Sequence, residues 1–202
     1  MTSGFAERAP LQARSRDTWE RVLLTASGLF EAGGWEALTI AEVCRRSGVS
    51  APSIYARVDG RAGLFAAVYQ LGLDRMRATE DRLVDAGAGV AGADDAAARA
   101  VGVITCLFRD HAPFLRAVIS HSVDDPELLE AGARESRRMV ARLAAALDSP
   151  SGDEIVRVLY SECVLRTMYG EHFLVEEESF EDYQARLHRL ATALLAQDVR
   201  LG

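Results

Sequence analysis

Apolar residues along most of this chain recur three and four positions apart. Trp19, Val22, Leu23, Ala26, Leu29 and Phe30 follow that spacing, the stripe that one face of an α-helix presents to a core. "DTWE" offers Asp17 as a helix cap with Glu20 three residues later, and Gly33-Gly34 closes the helix. "TIAE" repeats the capping pattern with Thr39 and Glu42 and opens a short helix that carries Ile40, Val43 and Cys44 inward until Gly48 stops it. Ser50 is placed to cap a third helix with Pro52 in its first turn, where a missing N–H costs nothing. Ile54 and Val58 face inward on it, and Asp59-Gly60 makes the next break. A long helix from about Arg61 carries Leu64, Phe65, Val68, Leu71 and Met76 on one side, and "DAGAGVAGADD", Asp85 to Asp95, reads as a Gly/Ala loop. Further helical stretches span 94–110, 112–121, 126–147, 152–175 and 179–199. There is neither a β alternation nor an internal repeat. The pattern predicts an all-α chain of about nine helices: a flexible arm (1–16), a three-helix head (17–62) and a helical body (63–202).

Composition narrows the function classes. The apolar fraction of 49% in 202 residues is ample for a core. No run approaches the ~18 apolar residues of a membrane helix, and "MTSGFAERAPLQARSR" has no apolar stretch of the kind a secretion signal needs. Cys44, Cys106 and Cys163 lie far apart in apolar helical patterns, as buried free thiols in a reducing cytoplasm do. The four histidines form no i,i+4 pair and no Cys/His cluster, so no metal is expected. No nucleophile–base motif or phosphate loop is present, so neither an enzyme nor a cofactor is expected. The net charge of −7 is unevenly spread: the first 62 residues carry +1 and the remainder −8. All 23 basic residues are arginine.

Two short helices joined by "SGVS" form a helix-turn-helix pattern. Gly48 allows the chain to reverse without a Cβ clash, Val49 plugs the gap, and Ile54 and Val58 fix the second helix to the first helix of the head. Ala51, Pro52, Ser53, Tyr55, Ala56 and Arg57 are then left on the outer side or rim. A half-buried packing role for Tyr55 is the alternative to a contact role.

The stretch "TIAEVCRRSGVSAPSIYARVDGRAGLF" resembles the DNA-binding head of the tetracycline-repressor-like (TetR) family of bacterial regulators, through Thr39, Val43-Cys44, Gly48-Val49-Ser50, Ser53-Ile54-Tyr55, Val58, Arg61 and Leu64. "LFEAGGWEALT" is similar to that family's first helix and its exit, so the resemblance spans roughly residues 17–66. It implies that Thr39, Ser53, Tyr55 and Arg61 hold phosphates and that Ala51, Pro52, Ala56 and Arg57 lie in the major groove, with Arg45 and Ser50 on the same surface. The chain departs from the family in having Arg61 for a lysine, Ala51 for a lysine or glutamine, and Val58 for an aromatic residue. Ala51 and Ala56 cannot hydrogen-bond a base edge, so readout rests on Arg57, Ser53 and apolar contact with thymine methyl groups. Residues 39–61 carry only +2, so affinity should lean on dimerisation and on Arg8, Arg14 and Arg16 of the arm, while the acidic body repels DNA.

For the body, the resemblance implies a homodimer built by the last two long helices and a cavity for a small effector. Helix 152–175 has apolar residues on more than one face (Ile155, Val156, Val158, Leu159, Cys163, Val164, Met168, Phe173), and 179–199 carries the stripe Phe180, Tyr183, Leu187, Leu190 and Leu194. From these, Ile155, Leu159 and the five stripe residues are the expected interface. Packing within the same chain is the alternative. Phe108, Arg109, Phe114, Met139, Tyr160, Thr167 and Tyr169 mix aromatic and polar groups in the central helices and are the candidate effector-binding residues. The function implied is a cytoplasmic transcriptional repressor, bound to a palindromic double-stranded DNA operator and released by a small, largely apolar effector. The alternative is a helical homodimeric binding or scaffold protein whose head no longer reads DNA.

Overall fold

The apolar stripes become helices. The computed structural model describes the backbone of residues 11–86 and 95–201 and the side chains of residues 15–86 and 95–197. Among these residues there are nine helices and no strand: α1 (Leu11–Ala37), α2 (Ile40–Ser47), α3 (Ala51–Tyr55), α4 (Gly60–Asp85), α5 (Ala96–Asp110), α6 (Ala112–Ser122), α7 (Pro126–Leu147), α8 (Gly152–Tyr169) and α9 (Phe180–Leu201). Residues 1–10 of the expected arm, Arg8 among them, lie outside the described residues, as do the side chain of Arg14 and residues 87–94 of the expected Gly/Ala loop.

Two boundaries differ from those the pattern predicts. α1 begins at Leu11 and not at Asp17, so residues 11–16 are helical and Asp17 lies inside the helix instead of capping it. α8 ends at Tyr169, because Gly170 turns to φ 91° and its N–H closes on the Arg166 carbonyl at 2.9 Å. Phe173, expected on that helix, lies exposed beyond its end.

Residues 1–73 and 74–202 form two compact units, divided inside α4. In the first, Val22, Ala26, Leu29 and Phe30 of α1 are buried with Val43, Val49, Ile54, Leu64, Phe65 and Val68. Phe65 is the aromatic centre: its ring lies 5.2 Å from that of Phe30 and 5.6 Å, edge-on, from that of Trp35. The predicted break at Gly33-Gly34 is present. Gly34 sits at φ 60°, ψ −155°, a region open essentially only to glycine, and so the chain can turn toward α2 straight after the helix.

In the second unit α5 is buried along most of its length, with Val101, Ile104, Leu107 and Phe108 in contact with α7, α8 and α9. Leu143, Ile155, Leu159, Tyr183 and Leu187 complete this core. α7 and α8 approach so closely that a Cβ on Gly152 would come 2.9 Å from the Ala144 carbonyl oxygen. α4 is tied to α7 by charge. Glu80 is only 1% exposed and meets Arg138 at 2.5 Å and Arg142 at 3.4 Å, while Arg77 pairs with Glu135.

Candidate nucleic-acid interface and body cavity

The helix-turn-helix corner forms for local reasons. Thr39 has extended backbone and its hydroxyl oxygen accepts the Glu42 N–H at 3.2 Å, which satisfies one of the orphan donors at the start of α2. The predicted box is half formed, because the Glu42 carboxylate does not return to the cap. It accepts from Arg45 and Arg46, each at 2.6 Å, and these bonds hold its carboxyl down at about 2. Gly48, at φ 70°, closes α2 with its N–H on the Cys44 carbonyl at 2.9 Å. Ser50 occupies the cap position of α3, but its hydroxyl meets that of Ser53 at 2.9 Å instead of a backbone N–H.

α3 is shorter than predicted and stops at Tyr55, with Ala56 and Arg57 in the turn that follows. Ile54 is fully buried, and around it Pro52, Ser53, Tyr55, Ala56 and Arg57 are all exposed. Tyr55 is 55% exposed. Five of the expected contact residues are thus exposed around one buried anchor, and Thr39, Ala51 and Arg61 are half-buried.

The arginines are less free than their positions along the chain suggest. Arg57 donates to the Ser15 carbonyl at 3.0 Å and to its hydroxyl at 2.7 Å, and lies over the Trp19 ring. Arg61 lies over the Trp35 ring and donates to the Trp35 carbonyl. Arg45 is exposed but shared with Glu42. The hydroxyls carry the remaining donor capacity: Thr39 Oγ1 accepts from Glu42 and keeps its own O–H to give.

In the body, a cavity of about 340 Å³ opens among α5, α6, α8, the segment after α8, and α9. Of the candidate effector-binding residues, Phe108, Arg109 and Thr167 line it. Phe114 and Met139 are instead buried core residues away from it. Tyr160 is also outside the lining, bonded to the Ser136 hydroxyl at 2.7 Å and edge-on to Phe108. Tyr169 is 63% exposed and stacks on Phe173. The periodicity does not pick out Arg116, Arg166, Glu171, Phe180 and Tyr183, which do line the cavity. Two of these are arginines, and Arg116 is the one arginine or acid on α6, the visible signal. Cys163, also in the lining, is buried and its thiol is pushed up to about 12, so it stays protonated and is no nucleophile.

The expected dimer stripe is corrected in the same way. Ile155, Leu159, Tyr183 and Leu187 are buried in their own chain and cannot meet a partner without unfolding. Phe180 lines the cavity, and Leu194 packs half-buried against the core. Leu190, 37% exposed, is the stripe residue that remains outward, and Val158 on α8 is equally exposed. Ser161, Ala185 and Ala193 are exposed on the same two helices. Tyr183 and Leu187 of the stripe lie on the core face of α9, and its outer face mixes charged residues such as Glu181 and Arg189 with small ones such as Ala185 and Ala193.

Residues 22–68 match the family model of the bacterial regulatory proteins of the tetR family. No curated protein matches the chain. Among solved structures, a transcriptional regulator from Rhodococcus sp. Rha1 superposes with a TM-score of 0.66 at 17% identity, over 88% of this chain and 95% of that one. A TetR-like transcriptional regulator from Rhodococcus sp. RHA1 gives 0.61 at 18%, over 89% and 96%. A regulator of the TetR/AcrR family from Thermobifida fusca YX-ER1 gives 0.57 at 16%, over 87% and 96%. At such identities the likeness shows the fold. Among the described residues no helix is long and apolar enough to cross a membrane. Residues 22–68 thus resemble the head of the bacterial regulatory proteins of the tetR family, and the fold of the chain is that of the solved regulators along nearly its whole length.

Proposed function

We propose that this chain is a cytoplasmic, homodimeric transcriptional repressor that holds a palindromic operator through residues 39–61 and leaves it when a small molecule enters the body cavity. The observation that carries the reading is the exposed ridge Pro52-Ser53-Tyr55-Ala56-Arg57 around the fully buried Ile54, within a head that matches a DNA-binding family. Hydroxyls of Thr39, Ser53 and Tyr55 suit phosphate oxygens. Ala51, Pro52 and Ala56 suit thymine methyl groups, and Arg57 suits a guanine edge once it releases Ser15. A twofold pair of heads requires two half-sites about one helical turn, or a multiple, apart.

The partner surface in this reading is the outer face of α8 and α9 around Val158 and Leu190. For release, α4 is a single helix that begins beside α3 and ends at Asp85. Its later turns carry Thr79, which meets His111 Nε2 at 3.1 Å. His111 follows Arg109 and precedes Ala112, both in the cavity lining. A ligand that moves the corner between α5 and α6 thereby moves α4. Such coupling is typically worth about 1–3 kcal/mol, or 5–150-fold in affinity, and operator DNA must weaken the ligand by the same factor.

The test is fluorescence anisotropy with the DNA upstream of the protein's own coding sequence against random DNA of equal length. Preference for the former, lost on mutating either half-site, is expected. Equal weak binding to both would favour a scaffold protein whose head no longer reads DNA.

A further inference from the structure

The cavity among α5, α6, α8 and α9 is lined by three guanidinium groups, Arg109, Arg116 and Arg166, and by a single carboxylate, Glu171. The three differ in what they have to spare. Arg166 is satisfied: it meets Glu171 and Glu178 at 3.2 Å each and lies over the Tyr183 ring. Arg109 meets the neighbouring Asp110 at 3.1 Å and lies over the Phe180 ring. Arg116 has no carboxylate partner among the described residues. Its Nε donates to the Thr167 carbonyl at 2.9 Å, from α6 to α8, which pins the fork and leaves its two terminal nitrogens to give. Around these groups the walls are Phe108, Ala112 and Phe180, with the Thr105 and Thr167 hydroxyls.

We propose that this cavity takes a small organic carboxylate on a flat apolar body, with the carboxylate on the terminal nitrogens of Arg116 and the body against Phe108 and Phe180. This deepens the effector reading and rests on it. A planar guanidinium with two free N–H groups is the natural partner of a carboxylate and gives a charge-assisted hydrogen bond. Aromatic walls favour a flat body that can stack or meet them edge-on. The guanidinium of Arg116, which no carboxylate offsets, repels an amine, and a wholly apolar ligand would strip water from Arg116 without replacing its hydrogen bonds. The volume of about 340 Å³ corresponds to roughly eleven waters at about 30 Å³ each, hence to a ligand of roughly ten non-hydrogen atoms.

The experiment is calorimetric titration of the full chain, without DNA, with phenylpropanoate, phenylpropanamide and phenylpropylamine, which share size and body and differ in charge. The carboxylate is expected to bind about ten- to hundredfold more tightly than the amide, the range of a hydrogen bond to a charged group, and the amine not at all. In Arg116→Gln, checked for unchanged helical circular dichroism, the advantage of the carboxylate over the amide disappears. Arg116→Lys keeps part of it. An amide that equals the carboxylate, an amine that binds, an advantage that survives Arg116→Gln, or no binding of any probe up to about 1 mM each overturns the proposal. A carboxylate that binds as expected but leaves the operator complex intact upholds the site and overturns its role as trigger.

Discussion

The guanidinium of Arg61, in the first turn of α4, lies 4.0 Å from the centre of the Trp35 ring and donates to the Trp35 carbonyl. The contact fastens the start of α4 to the chain leaving α1, directly beside the ring of Phe65. A lysine could bring a charge to phosphate from this position, but it has no planar fork to stack on the indole and bond the carbonyl together. Arg61→Lys should therefore lower the stability of the head by about 1 kcal/mol, read as an earlier thermal change in tryptophan fluorescence. An unchanged melting curve with weakened operator binding would return Arg61 to a phosphate role alone.

Arg57 holds Ser15 through Nη2, and a base edge that takes this nitrogen would compete with Ser15. Arg57→Ala should cost roughly 1–3 kcal/mol on the operator and relax preference at one position in each half-site. Ser15→Ala, which removes only the hydroxyl partner at 2.7 Å, should strengthen operator binding slightly by freeing the guanidinium. Equal losses on operator and random DNA for Arg57→Ala would move that residue to phosphate contact.

Leu187 and Leu190 lie three residues apart on α9, one in the core and one at the surface. Leu187 is fully buried in its own chain and Leu190 is 37% exposed. Leu187→Asp should unfold the body, since an unpaired buried carboxylate costs several kcal/mol. Leu190→Asp should leave helical circular dichroism intact while sedimentation shifts to monomer. A folded dimer of Leu190→Asp would place the interface elsewhere.

His111 links the cavity wall to α4 through Thr79. His111→Ala is expected to leave probe binding and operator binding each near their original strength and to reduce the effect of one on the other. The quantity to measure is the ratio of operator affinities with and without saturating ligand. An unchanged ratio would route the coupling through the Glu80–Arg138 and Arg77–Glu135 ties between α4 and α7 instead.

The Glu42 carboxyl is held down at about 2 by Arg45 and Arg46, from an ordinary value of 4.5. A depressed carboxyl stabilises the fold above its unfolded value and loses that contribution as pH falls toward the folded value. The stability of α2 should therefore decline between about pH 4.5 and pH 2, and Glu42→Gln should remove that part of the acid sensitivity. A side-chain carboxyl titration by NMR reads it directly. A Glu42 midpoint near 4.5 would mean that the two arginines are turned away in solution, and so free for DNA.

Local rules made the helices legible, and local geometry made the corner legible. The i, i+3, i+4 stripes of α1 and α4, the cap at Thr39, the left-handed Gly48 and the break at Gly33-Gly34 depend on neighbours within a turn or two, so they can be read one residue at a time. The same holds for the exposed ridge around Ile54, because the buried and outward positions of one short helix follow from its period. Partners distant in sequence were decided only by tertiary structure. The stripe Tyr183-Leu187 is the same whether it meets its own core or a second chain, and only the packing of α5 and α8 against α9 shows that it is core. Arg57 and Arg61 are exposed cations by position, yet the fold brings Ser15 and Trp35 to them across 42 and 26 residues. The cavity draws its arginines from α5, α6 and α8, and no spacing along one helix can announce a charge balance made by three. A helix period records which side of a segment is apolar, whereas what that side touches depends on how the other helices pack against it.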